Sequence, residues 1–198
     1  MKERIYQMTV LRNLEDRSYV LKDALSHKYL RPVLQHWLSL FSSGHLPARQ
    51  DMDPAQFAVS MPHISLFDWD ESKGDFYCRL AGEDVSNSFI KRLKTHTLAE
   101  LYDEQRASSI RRLWLHAVRE KSILFVLSSF ENSDSRLNGR RIILPLQDHK
   151  TGAVTIMSVS YYDYDAGYHY GKHLNATPDD YKYVFLNFDE LTAQAAFD

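Results

Sequence analysis

Apolar residues first repeat at helical spacing near the N-terminus of the chain. Between residues 30 and 41 they recur at intervals of three and four, which places them on one stripe of a helix. Pro32 fits the first turn, where a missing N–H costs nothing, and Ser42-Ser43-Gly44 predicts the end of the helix. The stripe is wide for a surface helix, so we expect it to pack against its own domain or a second subunit. It contains Leu30, Val33, Leu34, Trp37, Leu38 and Phe41.

The middle of the chain begins with two strand-like runs, at 63–69 and 75–80. A polar turn that contains a glycine separates them, which predicts an antiparallel hairpin. Short helical segments over 83–105 follow, and then a clearer helix over 106–120 whose apolar residues share one face.

Three further strand-like runs follow this helix and predict a second group of antiparallel strands. The Asn138-Gly139 pair is typical of a hairpin and marks the turn into the second run. The runs cover 122–130, 140–146 and 151–162. This order of elements predicts an α+β domain with one five-stranded antiparallel sheet and helices on one face.

The composition becomes acidic after the last predicted strand. Thr177-Pro178-Asp179-Asp180 is typical of a helix start, and the apolar stripe that follows it, which includes Tyr181, Val184 and Phe185, predicts a short helix. The predicted segments are an N-terminal helical flank at 1–45, a domain at 46–162, and an acidic C-terminal extension at 163–198.

Charge and hydropathy exclude several classes of function. The 24 Lys and Arg residues against 26 Asp and Glu give a net charge of −2. The chain therefore lacks the global basic field that drives binding to nucleic acid or anionic membranes, and it carries no recognition-helix motif. It shows no signal peptide and no apolar run long enough to span a membrane, so we expect a cytoplasmic protein.

Candidate chemistry is sparse. Cys78 is the single cysteine, which excludes CxxC zinc sites and Cys-ligated iron–sulfur clusters, and we expect it to be a small buried side chain. His169 and His173 are four residues apart, but neighbouring glycines argue against the helix on which they would share a metal, so we predict no metal site. We interpret two aspartate pairs as caps and turn residues rather than catalytic carboxylates. These are Asp51 with Asp53 and Asp68 with Asp70.

Two segments carry a resemblance to a known family. They are Leu46-Pro47-Ala48-Arg49-Gln50-Asp51-Met52-Asp53-Pro54 and, further on, Phe76-Tyr77-Cys78-Arg79-Leu80-Ala81-Gly82. In this order they resemble a bacterial family of PAS-domain proteins, many of which consist of one PAS domain with short flanks. Residues 140–146 also resemble the family's penultimate strand, and the resemblance covers roughly 34–162. The resemblance implies the PAS fold.

The chain departs from the family at residues 91–96. The family commonly shows Gly-Arg-Asp-x-Thr-Gly there, whereas this chain retains only Arg92 and Thr95. Without the glycines, a backbone conformation with positive φ is costly, so we expect none in this turn.

We predict no cofactor. Some PAS domains hold haem through a histidine on the long helix, but helical phase places His116 about 130° from the apolar face, towards solvent. Photosensory flavin domains resemble one another in an Asn-Cys pair near that helix, whereas Cys78 lies in a strand.

The resemblance implies a non-catalytic sensory or regulatory module that binds a small molecule, a signalling protein or both. We expect a cavity between the sheet and the helices of 83–120. Phe89 and Trp114 point inward by helical phase, and Ser158 and Ser160 are hydroxyls on an otherwise apolar strand face. The alternatives are a small α+β enzyme with a pocket there, for which no converging polar cluster is evident, and a protein-interaction adaptor without a ligand.

Two surfaces are candidates for association. The apolar stripe of residues 30–41 predicts a homodimer, and the competing interpretation is that this helix covers the sheet of its own chain. Residues 91–120 carry a surplus of basic side chains. They form a solvated face, bind an anionic ligand such as a nucleotide, or dock an acidic partner such as this chain's own acidic extension.

Overall fold

A computed structural model describes residues 8–12, 14–41, 44–89, 91–131, 136–164 and 180–187. The strands in these residues are β1 (Thr9–Val10), β2 (Ile64–Asp70), β3 (Asp75–Ala81), β4 (Ile123–Glu131), β5 (Arg136–Gln147), β6 (Val154–Tyr164) and β7 (Asp180–Leu186). They form one sheet in the order β1-β7-β4-β5-β6-β2-β3. The pairs are antiparallel except for β1 with β7, which is parallel.

The α-helices in these residues are α1 (Leu14–Ser26), α2 (Leu30–Leu40), α3 (Glu83–Asn87), α4 (Leu98–Leu101) and α5 (Glu104–Arg119). Two 3₁₀ segments, Arg49–Asp51 and Pro54–His63, connect α2 to β2. Helix α4 begins with a capping box, in which the Thr97 hydroxyl accepts from the Glu100 N–H and the Glu100 side chain accepts from the Thr97 N–H. The α+β class is confirmed, with two more strands than predicted, β1 and β7.

The sheet separates two apolar cores. Because side chains alternate along a strand, Ile143 of β5 faces α5 while Ile142 and Leu144 face α1 and α2. The first core includes Ala107, Ile110, Trp114, Leu124 and Ile156, and the second includes Val20, Leu21, Leu34, Trp37 and Phe125. The helices predicted within the domain, α3–α5, thus lie on one face, and the N-terminal flanking helices α1 and α2 cover the other.

The stripe predicted as a dimer surface lies inside this second core. Leu30, Val33, Leu34, Trp37 and Phe41 are buried against the sheet of their own chain, and Leu38 is half-buried beside them. The Trp37 indole N–H donates to the carbonyl of Pro145 in β5 at 3.0 Å. The structure thus corresponds to the competing interpretation, and a dimer through these six side chains would require α2 to leave the sheet.

Strand β7 corrects the helix predicted after residue 177. Tyr181 and Val184, which share the predicted helical stripe, lie on opposite faces of the sheet. The edge of β4 offers unpaired backbone groups, and β7 pairs with it from Ile123 to Ser129. Tertiary pairing thus outweighs the local helix signal. Thr177-Pro178-Asp179 and the end of the predicted stripe lie outside the described residues.

The Asn138-Gly139 pair lies inside β5 instead of at a turn. Ser129 pairs with Asn138 and Ser128 with Gly139. A Cβ at Gly139 would lie 2.6 Å from the Ser128 hydroxyl oxygen and 3.2 Å from the Tyr162 ring. A glycine is therefore needed at this position because the strands approach each other closely, and not because the chain turns there.

The two segments that resemble the PAS family shape the connection from α2 to β2. Asp51 accepts from the Ala48 N–H at 3.1 Å, and Asp53 accepts from the Ala55 N–H at 3.0 Å. These bonds fit their interpretation as caps. A Cβ at Gly82 would clash with the carbonyl oxygens of Met61 and Pro62, so the end of β3 requires a glycine there.

Among the described residues, no helix combines the length and the apolar character needed to cross a membrane.

Candidate functional site

A small cavity lies between the sheet and the segments that contain α3, α4 and α5. Its walls include Phe89 from the segment after α3, Trp114 from α5, and Ser158 and Ser160 from β6. The structure thus brings the four predicted residues together, although ligand binding by them stays a prediction. The remaining lining residues are Ser65, Phe67, Val85, Leu93, Tyr102 and Arg141.

The space inside this cavity is small. Its volume is about 10 Å³, which is close to the minimum that holds one water molecule. Phe89 and Leu93 line the cavity from the loop between α3 and α4. In that loop Thr95 adopts φ 76°, contrary to the expectation that a turn without glycine avoids positive φ. A β-branched residue in this region is strained.

Arg141 is the cavity residue that the sequence analysis missed. Its Nε donates to the Ser160 hydroxyl at 2.9 Å, and a terminal nitrogen donates to the Tyr162 hydroxyl in a short hydrogen bond. Within the described residues, no carboxylate forms an ion pair with it. The signal was present in the alternation of β5, because Arg141 shares a face with Ile143.

Tyr102 adds a further hydroxyl to the wall, next to a second guanidinium. The guanidinium carbon of Arg106 lies 4.4 Å from the centre of the Tyr102 ring, and Arg106 itself is buried. Burial raises the pKa of Tyr102, although Arg106 and Arg141 oppose this shift. The hydroxyl therefore stays protonated at neutral pH and can donate a hydrogen bond.

Cys78 and His116 lie outside the cavity lining. Cys78 is fully buried as predicted, and burial raises the pKa of its thiol to about 12, so it is not a reactive thiolate. The ring of His116 packs against Phe185 at 4.4 Å between centroids. His116 is half-buried and lies outside the apolar core, as its helical phase predicts, although Phe185 of β7 contacts it there.

The other side chains considered as catalytic groups or metal ligands form local contacts instead. Asp68 accepts from the Thr155 hydroxyl at 2.7 Å and pairs with Arg79 at 3.2 Å, while Asp70 accepts from Ser72. In the part of the chain that the structure describes, no group of three or more His, Cys, Asp and Glu side chains is arranged to hold a metal. His169 and His173 lie outside that part.

The basic surplus of 91–120 is partly neutralised within the chain. Arg111 pairs with Asp75 at 3.0 Å, and Arg119 pairs with Glu120 at 2.8 Å. Arg112 is exposed on the same helix.

A cluster of rings joins the N-terminal helices to the rest of the domain. His27 and Tyr29, between α1 and α2, contact Tyr161 of β6, and Tyr29 also contacts His63 at 3.9 Å between centroids. His63 Nε2 lies 3.3 Å from a carboxylate oxygen of Asp84 in α3.

Acidification below pH 6.5 is expected to lower the free energy of unfolding through this cluster. Burial lowers the pKa of both His63 and His27 from their usual value of 6.5. The Asp84 carboxylate opposes the shift at His63, and the Asp23 carboxylate opposes the shift at His27. In this window the unfolded chain binds more protons than the folded chain, so stability present above pH 6.5 is lost as the pH falls. Urea unfolding at pH 7.5 and 5.5 measures the loss.

The matched variants are His63→Gln, which should reduce this pH dependence, and His149→Gln at an exposed position, which should not. A wild-type protein that becomes more stable at pH 5.5 would show that the Asp84 carboxylate outweighs burial at His63.

Comparison with known proteins gives one result. A family model described as "PAS domain" matches residues 25–159, which is more than half of the chain. No curated protein and no solved structure matches the chain.

Proposed function

Because the chain belongs to the PAS-domain family, we propose that it is a non-catalytic sensory or regulatory module that binds a small molecule in the cavity between the sheet and α3–α5. PAS domains are in general sensory modules. The family match supports a sensory or regulatory module, and the cavity supports the binding of a small molecule as its mode of action.

The observation that carries the proposal is the polarity of this cavity. A guanidinium and several hydroxyls, among them those of Ser158 and Ser160, border a space of about 10 Å³ inside an otherwise apolar core. Buried polar groups cost free energy unless they are paired, and apolar residues of similar volume often stabilise a fold as well or better. Arg141, Ser160 and Ser158 pair with one another here, and this concentration of polar groups in an apolar core supports the binding of a small polar ligand.

The cavity offers little for catalysis. Its lining residues include no carboxylate, imidazole or thiol, so Ser158 and Ser160 have no general base within the wall. This supports a binding role over the alternative of a small enzyme.

The sheet provides a route from the cavity to the N-terminal helices. Arg141 faces the cavity, while the adjacent Arg140 faces the other way and pairs with Asp23 of α1 at 2.8 Å. The Trp37 bond to Pro145 ties α2 to the same strand. A ligand that shifts β5 would therefore change how α1 and α2 sit on the sheet, and a signalling partner or a second copy of the chain would sense that change.

The experiment that tests the proposal starts with native mass spectrometry of freshly purified protein, followed by a thermal-shift screen of metabolites and nucleotides. We expect a bound small molecule or a stabilising compound. Its effect should be lost in the double variant Ser158→Ala/Ser160→Ala and retained in Ser39→Ala, which alters an exposed position on α2. Hydrogen exchange should show that binding changes protection in α1 and α2.

A second candidate, the protein-interaction adaptor without a ligand, is favoured by the volume of about 10 Å³. No bound mass, and no compound whose effect depends on the two serines, would contradict the proposal in favour of this adaptor.

A further inference from the structure

We infer that the cavity takes an organic monocarboxylate with an apolar body, whose carboxylate pairs with Arg141. The inference rests on the proposed function, because it names the ligand class of the same cavity.

The first step concerns the counter-ion of Arg141. Several other arginines of the sheet and of α5 pair with a carboxylate of this chain: Arg79 with Asp68, Arg111 with Asp75 and Arg140 with Asp23. Arg141 has only the hydroxyls of Ser160 and Tyr162 among the described side chains. A guanidinium stays charged at any physiological pH, and Arg141, which is half-buried, loses part of its hydration without an opposite charge to offset the loss. An anionic ligand would supply that missing charge.

The second step is the balance of hydrogen-bond donors and acceptors. The Ser160 oxygen accepts from Arg141, so this hydroxyl of the wall keeps its own hydrogen to donate. Ser158 lies 3.4 Å from Ser160, oxygen to oxygen, and Tyr102 adds a protonated hydroxyl. The side chains of the wall include no carboxylate, amide or imidazole to accept in return. This excess of donors fits a ligand group that only accepts, such as a carboxylate, and not an ammonium.

The third step is the apolar part of the wall. Arg141 is the single charged residue that lines the cavity, which matches one carboxylate instead of two. The apolar wall suits an aliphatic or aromatic body and does not suit a free inorganic anion. It consists of Phe67, Val85, Phe89, Leu93 and Trp114.

The body of such a ligand needs space that side chains fill in this structure. Phe89 and Leu93 belong to the connection between α3 and α4, outside the regular elements. Side chains on such a connection move at lower cost than those on the central strands, and Thr95 already holds strained backbone there. We therefore infer that Phe89 and Leu93 move outward, and that the ligand body occupies the space they open, bordered by Phe67, Val85 and Trp114.

The test compares acids with their neutral amides on the wild-type protein by isothermal titration calorimetry. The probes are phenylacetate and hexanoate, their amides phenylacetamide and hexanamide, and inorganic phosphate. We expect at least one of the two acids to bind at least tenfold more tightly than its amide, with phosphate weaker than that acid. Arg141→Gln should remove the preference for the acid, Arg141→Lys should retain part of it, and Arg112→Gln, at an exposed position of α5, should leave it unchanged.

Equal binding of an acid and its amide would overturn the carboxylate inference and leave the proposed function standing. Phosphate binding that exceeds both acids would also overturn it, in favour of an inorganic anion. Failure of both acids, together with a different bound mass in native mass spectrometry, would likewise overturn the inference alone. Failure of the acids with no bound mass and no stabilising compound would overturn the proposed function as well. Because the acid and amide comparison uses the wild-type protein, it stays decisive if an Arg141 variant does not fold.

Discussion

Replacing Trp37 with alanine is expected to lower the free energy of unfolding by about 3–5 kcal/mol, the usual cost of removing a large aromatic side chain from a core. Trp37 is 1% exposed and packs beside Phe41 at 5.0 Å between ring centroids. Its indole N–H donates to the carbonyl of Pro145 at 3.0 Å, and alanine leaves that carbonyl without its partner. The loss therefore combines a cavity with a broken buried hydrogen bond.

Chemical denaturation measures this loss, and sedimentation velocity measures mass in parallel. Trp37→Phe retains a ring but removes the N–H, so it should cost less than alanine, while Ser39→Ala at an exposed position of α2 should change little. The same experiment decides between the two interpretations of the apolar stripe. A Trp37→Ala protein of undiminished stability, converted from dimer to monomer, would contradict the covered sheet and support the dimer surface.

The strongly periodic parts of the fold could be predicted from the sequence. The stripe of α2, the hairpin of β2 and β3, and the long helix α5 all follow from spacing alone, since each presents one clear apolar face. Helical phase and strand alternation also give the inward direction of Phe89, Trp114, Ser158 and Ser160, which line one cavity, while ligand binding by them stays a prediction. The order of elements and the family resemblance then led to the correct fold class.

Features that depend on distant partners could not be predicted this way. Residues 180–186 carry a pattern compatible with a helix, and only the free edge of β4 makes them a strand. Asn138-Gly139 has the composition of a turn, but pairing with Ser128 and Ser129 places it inside β5. The local pattern of α2 likewise does not determine which face of the sheet the helix covers. An apolar stripe looks the same whether its own chain or a second subunit covers it.

Arg141 illustrates a different limit. Two adjacent arginines at 140 and 141 look like a solvated strand end, yet alternation sends one towards Asp23 of α1 and the other into the cavity. The sequence contains the alternation, but the absence of a carboxylate partner for Arg141 is a property of the folded arrangement. The residue with the most information about ligand chemistry is therefore the one that sequence patterns alone do not single out.

Replacing Asp75 with alanine is expected to lower the free energy of unfolding by about 3 kcal/mol. Asp75 is 3% exposed at the start of β3, where its carboxylate accepts from the Ala99 N–H of α4 and from Arg111 Nε of α5, both at 3.0 Å. Alanine would leave the guanidinium and the helix N–H without their acceptor, and breaking a buried pair from one side costs about 3–5 kcal/mol. The lower end applies because the Arg111 side chain is 23% exposed and retains contact with water.

Urea unfolding of four variants tests whether Asp75 links β3 to α4 and α5 or acts as an ordinary surface charge. Asp70→Ala, at the other end of the same turn, removes a carboxylate that accepts from Ser72 and lies 3.9 Å from Lys73; since these contacts are exposed, it should cost about 1 kcal/mol. Because Asp75 and Arg111 are in contact, Asp75→Ala/Arg111→Met should cost less than the sum of the two single variants. Strict additivity, or equal losses for Asp70→Ala and Asp75→Ala, would show that Asp75 does not join β3 to α4 and α5. Since α5 also supplies Trp114 to the cavity, loss of the Asp75 contacts to α4 and α5 should weaken ligand binding, even though Asp75 lies outside the cavity lining.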